Sequence, residues 1–347
     1  MTKLMEEILA QPAALSGLRK YYSSPGVIST RLLRQLVKDW PPTVVFTGMG
    51  SSLFAAYPAQ AYLSSVGIRS VAWETAELLH HHLKFLGPET LLVVVSQSGE
   101  TVEVLRLLEA LPPRMGLFAV VNVENSTLAR RSKLLLPMMA GKQTRASTKT
   151  YTCAVAVLLY LAHAIAHMPP SALTQALKAA IDEEEKMLDR AEVLIPPAAE
   201  FFGKPNYVAL MGRGADLSSV HQGALMFKEV VRLGAEPMSA AHFRHGPLEI
   251  ISPEHRYIVF GRDGKTGKLL TKLADDIRSH GGRVVLLTDQ PFDDITNVRL
   301  VRVAPLPEFL GTLVDSVYIQ LLVHELALRA GLEPGQFRLA TEVTREE

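Results

Sequence analysis

The chain has 347 residues, of which 48% are hydrophobic and 20% charged, and its formal net charge is +1. This length favours two domains or one duplicated unit, and the composition excludes a disordered chain. The balanced charge, with no basic stripe, argues against a nucleic-acid-binding protein. The only cysteine is Cys153, which excludes a disulfide within the chain and favours a cytoplasmic protein.

The N-terminal segment (1–40) reads as helical. Glu6 and Glu7 stand where a signal peptide would continue its apolar region, so we expect no secretion signal. The longest apolar stretch (153–168) is short for a membrane span and contains two histidines. It therefore predicts a buried core helix, and we expect no membrane association.

Residues 41–170 repeat one pattern, in which an apolar strand ends in a turn that opens a helix. TVVFTGMGSS (43–52) and LLVVVSQSGET (91–101) both follow it, and GLFAVVNVEN (116–125) and LLLPMMAG (134–141) supply further strands. Strands and helices that alternate in this way predict a parallel sheet covered on both faces.

A helical linker is predicted over 171–204, and the pattern restarts in 205–347. YVALMGRGAD (207–216) corresponds to VVFTGMGSS, and three further apolar runs, YIVFG, GGRVVLLTD and VRLVRVAP, predict strands. The two halves therefore read as a degenerate duplication. The predicted fold is α/β, with two doubly wound parallel-sheet lobes in tandem.

Two turns carry the chemistry for binding an anion, namely residues 48–52 (GMGSS) and residues 96–101 (SQSGET). Small hydroxyl side chains let the backbone approach a ligand, and free N–H groups and the helix dipole favour a negative charge. Neither the dinucleotide fingerprint nor a nucleotide-triphosphate loop is present. Helix capping is the plain alternative, but a third polar cluster, RASTKTYT (145–152), favours a ligand.

Three segments resemble the sugar isomerase (SIS) domains: SQSGET, ASTKTYT and the long run HQGALMFKEVVRLGAEPMSAAHFRHGP (221–247). They are similar to the tandem-SIS isomerase half of glucosamine-6-phosphate synthase and to free-standing phosphosugar isomerases and deglycases. The likeness runs from about residue 40 to the C-terminus. It implies two flavodoxin-like SIS lobes.

The resemblance implies a sugar 6-phosphate as ligand, with Glu229 as the proton-moving base. His245 would assist ring opening or protonation, and it would reach the site of a neighbouring subunit in a homodimer. No cofactor and no metal are implied. The implied substrate- and phosphate-binding residues are Ser52, Ser96, Gln97, Ser98, Thr101, Ser147, Ala340 and Thr341.

The sequence also departs from the synthase. Met226 and Thr341 stand where the synthase has lysines, and Gln222 replaces a usual carboxylate. The lysine at the position of Thr341 forms an imine with the open-chain sugar, which threonine cannot do. No domain resembling the glutamine-hydrolysing domain is seen, so we expect no ammonia production from glutamine by that route. These departures weaken an aminotransferase assignment and leave the sugar-phosphate assignment intact.

Aldose–ketose interconversion needs a base that carries a proton between adjacent carbons and a group that helps to open the ring. A desolvated Glu229 would have a raised pKa suited to this work, although a solvated ion pair with Lys228 or Arg232 is the plain alternative. His245 could equally be an ordinary loop histidine. A substrate that already carries an amine would need no imine lysine.

We therefore expect a phosphosugar isomerase, or a deaminase or deglycase that acts on a hexose 6-phosphate derivative. An ammonia-dependent synthase-like enzyme and a non-catalytic sugar-phosphate sensor are the alternatives. His80, His81 and His82 are adjacent and cannot all face one point, so they predict helix surface or a site rim and no metal site. The role of Lys149 stays open, as does that of residues 141–145 (GKQTR).

Overall fold

The computed structural model describes residues 1–24, 26–28, 33, 43–112, 115–262 and 264–339. The chain forms two compact units. Residues 10–178 belong to the first unit, and residues 1–9 and 179–337 belong to the second. The chain opens with helices α1 (Lys3–Leu9) and α2 (Gln11–Tyr22). Of the predicted helical sequence LRQLVKDW (33–40), only Leu33 lies within the described residues.

The first unit contains a five-stranded sheet whose paired strands are all parallel. The strand order is β2-β1-β3-β4-β5. Every residue of the inner strands β1, β3 and β4 is buried, as expected for a sheet covered on both faces. The strands are β1 (Thr43–Gly48), β2 (Ser70–Glu74), β3 (Thr90–Ser96), β4 (Leu117–Val121) and β5 (Leu134–Pro137).

Helices connect these strands. The long apolar helix α8 is buried along most of its length, and Cys153 lies in its core. The helices are α3 (Ser51–Phe54), α4 (Tyr57–Ser65), α5 (Thr75–Glu77), α6 (Val102–Ala110), α7 (Thr127–Arg131) and α8 (Lys149–Ile165), with a π-helix (Leu78–His82) and a 3-10 turn (Leu83–Phe85) after α5. No helix of the described residues combines the length and apolarity needed to cross a membrane.

The second unit contains an equivalent sheet, again with all paired strands parallel. Its order is β10-β9-β8-β6-β7, which repeats the topology of the first sheet. This confirms the two doubly wound α/β lobes predicted from the sequence. The strands are β6 (Val208–Gly212), β7 (Ala235–Ser239), β8 (Arg256–Phe260), β9 (Arg283–Thr288) and β10 (Val298–Arg302).

The helix after β6 carries the segment that resembles the SIS family. It begins as an α-helix and ends as a π-helix (Phe227–Val231). The α-helices are α9 (Pro170–Asp189), α10 (Ala191–Phe202), α11 (Leu217–Met226), α12 (Ala240–Phe243), α13 (Gly267–Ser279) and α14 (Gly311–Arg329), and the 3-10 turns are Gly214–Asp216, Pro247–Ile250 and Glu308–Leu310. The predicted domain boundaries at 40/41, 170/171 and 204/205 stay a prediction.

Candidate functional site

The turn after β3 is held together by its own serines. The Ser96 hydroxyl oxygen accepts a hydrogen bond from the Gly99 N–H (3.0 Å), and the Ser98 oxygen accepts one from the Glu100 N–H (3.2 Å). A hydroxyl that accepts in this way keeps its own hydrogen as a donor. Both serines can therefore still donate to a bound anion.

Gly99 makes this turn possible. Its φ of +66° favours glycine, and an added Cβ would lie 2.3 Å from the Ser126 Oγ. The Gln97 carbonyl oxygen accepts hydrogen bonds from the N–H groups of Asn122 and Val123, which follow β4. The turn is thus fixed to the loop of the neighbouring strand.

Thr101 lies at the N-terminal cap of α6. Its side chain makes no capping hydrogen bond, and its buried Oγ1 has no hydrogen-bond partner among the described residues. Buried hydroxyl groups almost always have a partner. An unpaired hydroxyl beside the free N–H groups of a helix N-terminus points to a ligand that supplies the missing acceptor.

The turn after β1 lies beside the turn after β3, because β1 and β3 are neighbours. A Cβ at Gly48 would lie 2.9 Å from the Val95 carbonyl oxygen, so glycine permits the close approach of the two strand ends. Ser52 in this turn is half-buried. In a sheet of this order, the crevice between β1 and β3 is the topological switch point where ligands bind.

Ser147 lies in the loop that leads from β5 into α8. It is half-buried, and its Oγ lies 3.4 Å from the Thr150 Oγ1. The Lys149 ammonium donates a hydrogen bond to the Lys142 carbonyl oxygen (2.8 Å). This hydrogen bond gives Lys149 a partner within the loop, whereas the sequence alone left its role open.

Two positioning residues were not identified from the sequence. Asn122 accepts a hydrogen bond from the Ala140 N–H (3.0 Å) and donates one to the Gly141 carbonyl (2.8 Å). Gln143, within the GKQTR segment, accepts from the Thr150 N–H (3.0 Å) and donates to the Ala146 carbonyl (3.1 Å). Single amides in loops carry no periodic signal, so only the folded chain reveals their partners.

Glu229 belongs to the second unit and lies in the π-helical last turn after α11. Short π-helical segments are frequent at functional sites. Burial raises the pKa of the Glu229 carboxyl from 4.5 to about 7, because desolvation disfavours the charged form. Among the described residues, no ion pair joins Glu229 to Lys228 or Arg232.

His245, also in the second unit, lies in the turn after α12. Its side chain is exposed, and its backbone N–H donates to the His242 carbonyl (2.9 Å). Within the described part of the chain, no hydrogen bond joins its ring to Glu229. Ser52, the SQSGET residues and Ser147 thus belong to the first unit, and Glu229 and His245 belong to the second.

The structure describes Met226 and Gln222, two of the residues that depart from the synthase pattern. Met226 is fully buried, and Gln222 is 1% exposed. Ala340 and Thr341 lie outside the described residues. Met226 therefore presents only an apolar side chain to the core at the position of a synthase lysine.

The adjacent histidines lie on the π-helix that follows α5. His80 and His81 are exposed, and the His82 ring stacks on Trp73 with centroids 4.5 Å apart. No group of His, Cys, Asp and Glu among the described residues has the arrangement of a metal site.

A cavity of about 800 Å³ in the first unit lies away from these turns. Its lining includes Thr43, Ser70 and Thr90, which are the first residues of β1, β2 and β3. The cavity is therefore at the amino ends of the strands, whereas the candidate site is at their carboxyl ends.

Comparison with known proteins finds a relative that matches most of the chain. The chain is 28% identical over 315 residues to the glutamine–fructose-6-phosphate aminotransferase (isomerizing) of Brucella abortus. The matched region covers 87% of this chain and 52% of the relative. The chain thus spans about half the length of this relative.

Two solved structures share the fold. The C-terminal domain of glucosamine-fructose-6-phosphate aminotransferase from Francisella tularensis has a TM-score of 0.89 at 21% identity, covering 97% of this chain and 98% of that one. Glucosamine-6-phosphate deaminase from Thermotoga maritima has a TM-score of 0.78 at 20% identity, covering 99% of each chain.

The family model of the SIS domain matches twice, at residues 38–164 and 202–330. Each match falls within one of the two compact units. The chain belongs to the SIS domain family and carries one copy of the domain in each unit.

Proposed function

We propose that this protein is an enzyme that binds a hexose 6-phosphate derivative and either isomerises it or removes its amine by proton transfer. The observation that carries the proposal is the buried Thr101 hydroxyl in the serine-rich turn at the switch point, which has no hydrogen-bond partner in the described part of the chain. Ser52, Ser96, Gln97, Ser98 and Ser147 would complete the binding of the phosphate and the sugar.

Glu229 is the proposed base. A carboxyl with a pKa of about 7 is half-ionised near neutral pH, where it can both accept and return a proton. Proton transfer between adjacent carbons requires both steps. The rate should therefore rise with pH through about 7 as the carboxylate forms.

Isomerisation and amine removal share this chemistry. Aldose–ketose exchange moves a proton from one carbon to its neighbour through an enediol. In a substrate with an amine on the reacting carbon, the same proton transfer gives an imine on the substrate's own nitrogen, which water hydrolyses to a hexose 6-phosphate and the free amine or ammonia, so no imine-forming lysine is needed. The buried Met226 is compatible with this second class of substrate.

The direct test incubates the protein with fructose 6-phosphate, glucose 6-phosphate, glucosamine 6-phosphate and fructosyl-amine 6-phosphates and analyses the products. We expect turnover of at least one compound. Glu229→Gln should bind that compound and lose on the order of 10²–10⁴-fold in kcat. Tight binding by the wild type with no turnover of any compound would identify a sugar-phosphate sensor instead.

Formation of glucosamine 6-phosphate from fructose 6-phosphate and ammonia would favour the synthase-like alternative. Glucose 6-phosphate as the product would favour plain isomerisation. This product analysis therefore separates the synthase-like reaction from plain isomerisation with one substrate.

His245 is proposed to assist ring opening in the site of a second subunit, so the active form would be a homodimer. Coexpressing Glu229→Gln with His245→Asn tests this, because a mixed dimer then holds one site with both groups intact. We expect about a quarter of wild-type activity if the chains assort randomly. No recovery would place both groups in one subunit's site.

His80→Asn is the matched control for His245. Gly48 pairs with Glu74 and Gly212 pairs with Ser239, so His80 and His245 follow equivalent strands at the same spacing. His80→Asn should leave turnover unchanged.

A further inference from the structure

The loop between β5 and α8 is tied to the phosphate-binding candidate turn. Asn122 makes the connection, because its N–H donates to Gln97 while its side chain bonds Ala140 and Gly141. Gln143 joins the rest of the loop to the start of α8, because its side chain accepts a hydrogen bond from the Thr150 N–H. The loop therefore lies at the carboxyl ends of the strands, in the same unit as the serine-rich turn.

Arg145 lies in this loop, and its buried Nε has no hydrogen-bond partner among the described residues. Its Nε is shielded from solvent and makes no hydrogen bond, and none of the ion pairs among the described residues includes Arg145. The sequence has no acidic residue between Glu124 and Asp182 that could supply a local counter-charge. A buried guanidinium N–H without an acceptor is costly, so an acceptor is expected from outside the chain.

The neighbouring cations do not have this property. The Lys149 ammonium already donates to the Lys142 carbonyl, and the Lys142 side chain is exposed to water. Arg145 is thus the cation of this loop that combines a shielded donor with an unmet hydrogen-bonding capacity.

We propose that Arg145 pairs with the phosphoryl group held by the serine-rich turn, an assignment that rests on the proposed function. The side chains of Ser96, Ser98 and Thr101 are neutral donors, whereas a phosphate monoester carries nearly two negative charges at neutral pH. A guanidinium supplies positive charge and two parallel donors that match phosphate oxygens. Arg145 would make the site selective for phosphorylated over unphosphorylated sugars.

Three variants of the full chain test the assignment by calorimetric titration with inorganic phosphate and with fructose 6-phosphate. Arg145→Gln removes the charge, Arg145→Lys keeps it, and Lys142→Gln removes an equal charge from the exposed part of the same loop. We expect Arg145→Gln to weaken binding about 10- to 100-fold, as for other hydrogen bonds to charged groups. Arg145→Lys should be intermediate, and Lys142→Gln should change Kd less than about twofold.

Thermal unfolding without ligand adds a second readout. Because the Arg145 Nε has no partner among the described residues, Arg145→Gln should keep or raise the ligand-free Tm. A clear fall in that Tm would indicate a structural role and overturn the assignment.

The outcomes separate the two proposals. Wild-type protein that binds no hexose phosphate overturns the proposed function and this assignment together. Equal affinity of wild type and Arg145→Gln for fructose 6-phosphate overturns the assignment alone. It is also overturned if Arg145→Gln binds inorganic phosphate as tightly as the wild type does, because Arg145 would then act on another part of the ligand.

Discussion

The two units share a topology but differ in what their switch points carry. In the first unit Thr47 pairs with Val94, and in the second Met211 pairs with Val259, so SQSGET (96–101) is equivalent to GRDGKT (261–266). The equivalent glycines both have positive φ, +66° for Gly99 and +129° for Gly264. Both turns therefore share a glycine with positive φ, whereas the side chains around that glycine differ.

In the second unit, the residue at the switch point is hydrogen-bonded to other residues of the same unit. Arg262, at the position of Gln97, donates hydrogen bonds to the Gly311 carbonyl oxygen and to Asp315, and Asp315 also accepts one from Ser219. Arg262 is 4% exposed and Asp315 is fully buried. At this sheet edge, Arg262 Nη2 is thus engaged within the second unit, whereas in the first unit the Thr101 Oγ1 has no partner among the described residues.

The helix after the first strand differs as well. The second unit ends this helix with Glu229, whereas the first has no acidic residue between Met49 and Trp73. Each copy of the duplicated fold therefore contributes a different part of the proposed chemistry. In the proposed function, the first would supply the anion-binding turn and the second the desolvated carboxyl.

The largest expected effect comes from breaking the ion pair between Arg262 and Asp315 in the second unit. Arg262→Met leaves the Asp315 carboxylate buried without its cation. We expect a loss of about 3–5 kcal/mol in the free energy of unfolding, measured by urea denaturation.

The double variant Arg262→Met/Asp315→Asn is the control, because it removes both charges. It should recover most of the lost stability. If the single variant were as stable as wild type, the ion pair would not be what stabilises this edge of the sheet.

Glu229→Gln should change how stability depends on pH. The folded carboxyl titrates at about 7 and the unfolded one at 4.5, so the folded state holds an extra proton between these values. Stability therefore falls as pH rises from about 4.5 to about 7 and is flat above. At pH 8 the variant should be more stable than wild type by up to about 3 kcal/mol, and near pH 4.5 the two should converge. Identical pH profiles in urea denaturation would contradict the raised pKa.

Equivalent threonines provide the sharpest test of the switch-point comparison. Thr101→Val removes the unpaired hydroxyl without changing the size of the side chain, and Thr266→Val does the same at the equivalent cap of the second unit. Thr101→Val should weaken fructose 6-phosphate binding about tenfold or more in calorimetric titration. Thr266→Val should have no effect on binding. Equal losses in both variants would show that the two edges are not specialised.

The sequence predicted most of the fold because most strands are continuous apolar runs. The two strands it missed, β2 (Ser70–Glu74) and β7 (Ala235–Ser239), are equivalent edge strands. Both are only partly buried, and β7 contains Pro237. Edge strands with one neighbour need fewer apolar residues, so their sequences give a weak strand signal.

The turn residues of the candidate site were predictable because SQSGET combines a strand end with hydroxyl groups and a glycine. The sequence did not reveal which hydroxyls bond within the turn and which stay unpaired. The hydrogen bonds of Asn122 and Gln143 and the unpaired Nε of Arg145 were also hidden, since each depends on which groups the folded chain brings near. Hydrogen-bond satisfaction is a property of the folded chain, and local sequence does not encode it.

The smallest expected effect tests what sets the pKa of Glu229. Lys228 is exposed, and within the described residues it makes no ion pair with Glu229. Lys228→Gln should therefore change the free energy of unfolding by less than about 0.5 kcal/mol, and the pH at which activity rises should stay the same. Urea denaturation and a pH–rate profile measure the two quantities. A shift of that pH would mean that a neighbouring charge, and not desolvation, tunes the carboxyl that distinguishes the second unit from the first.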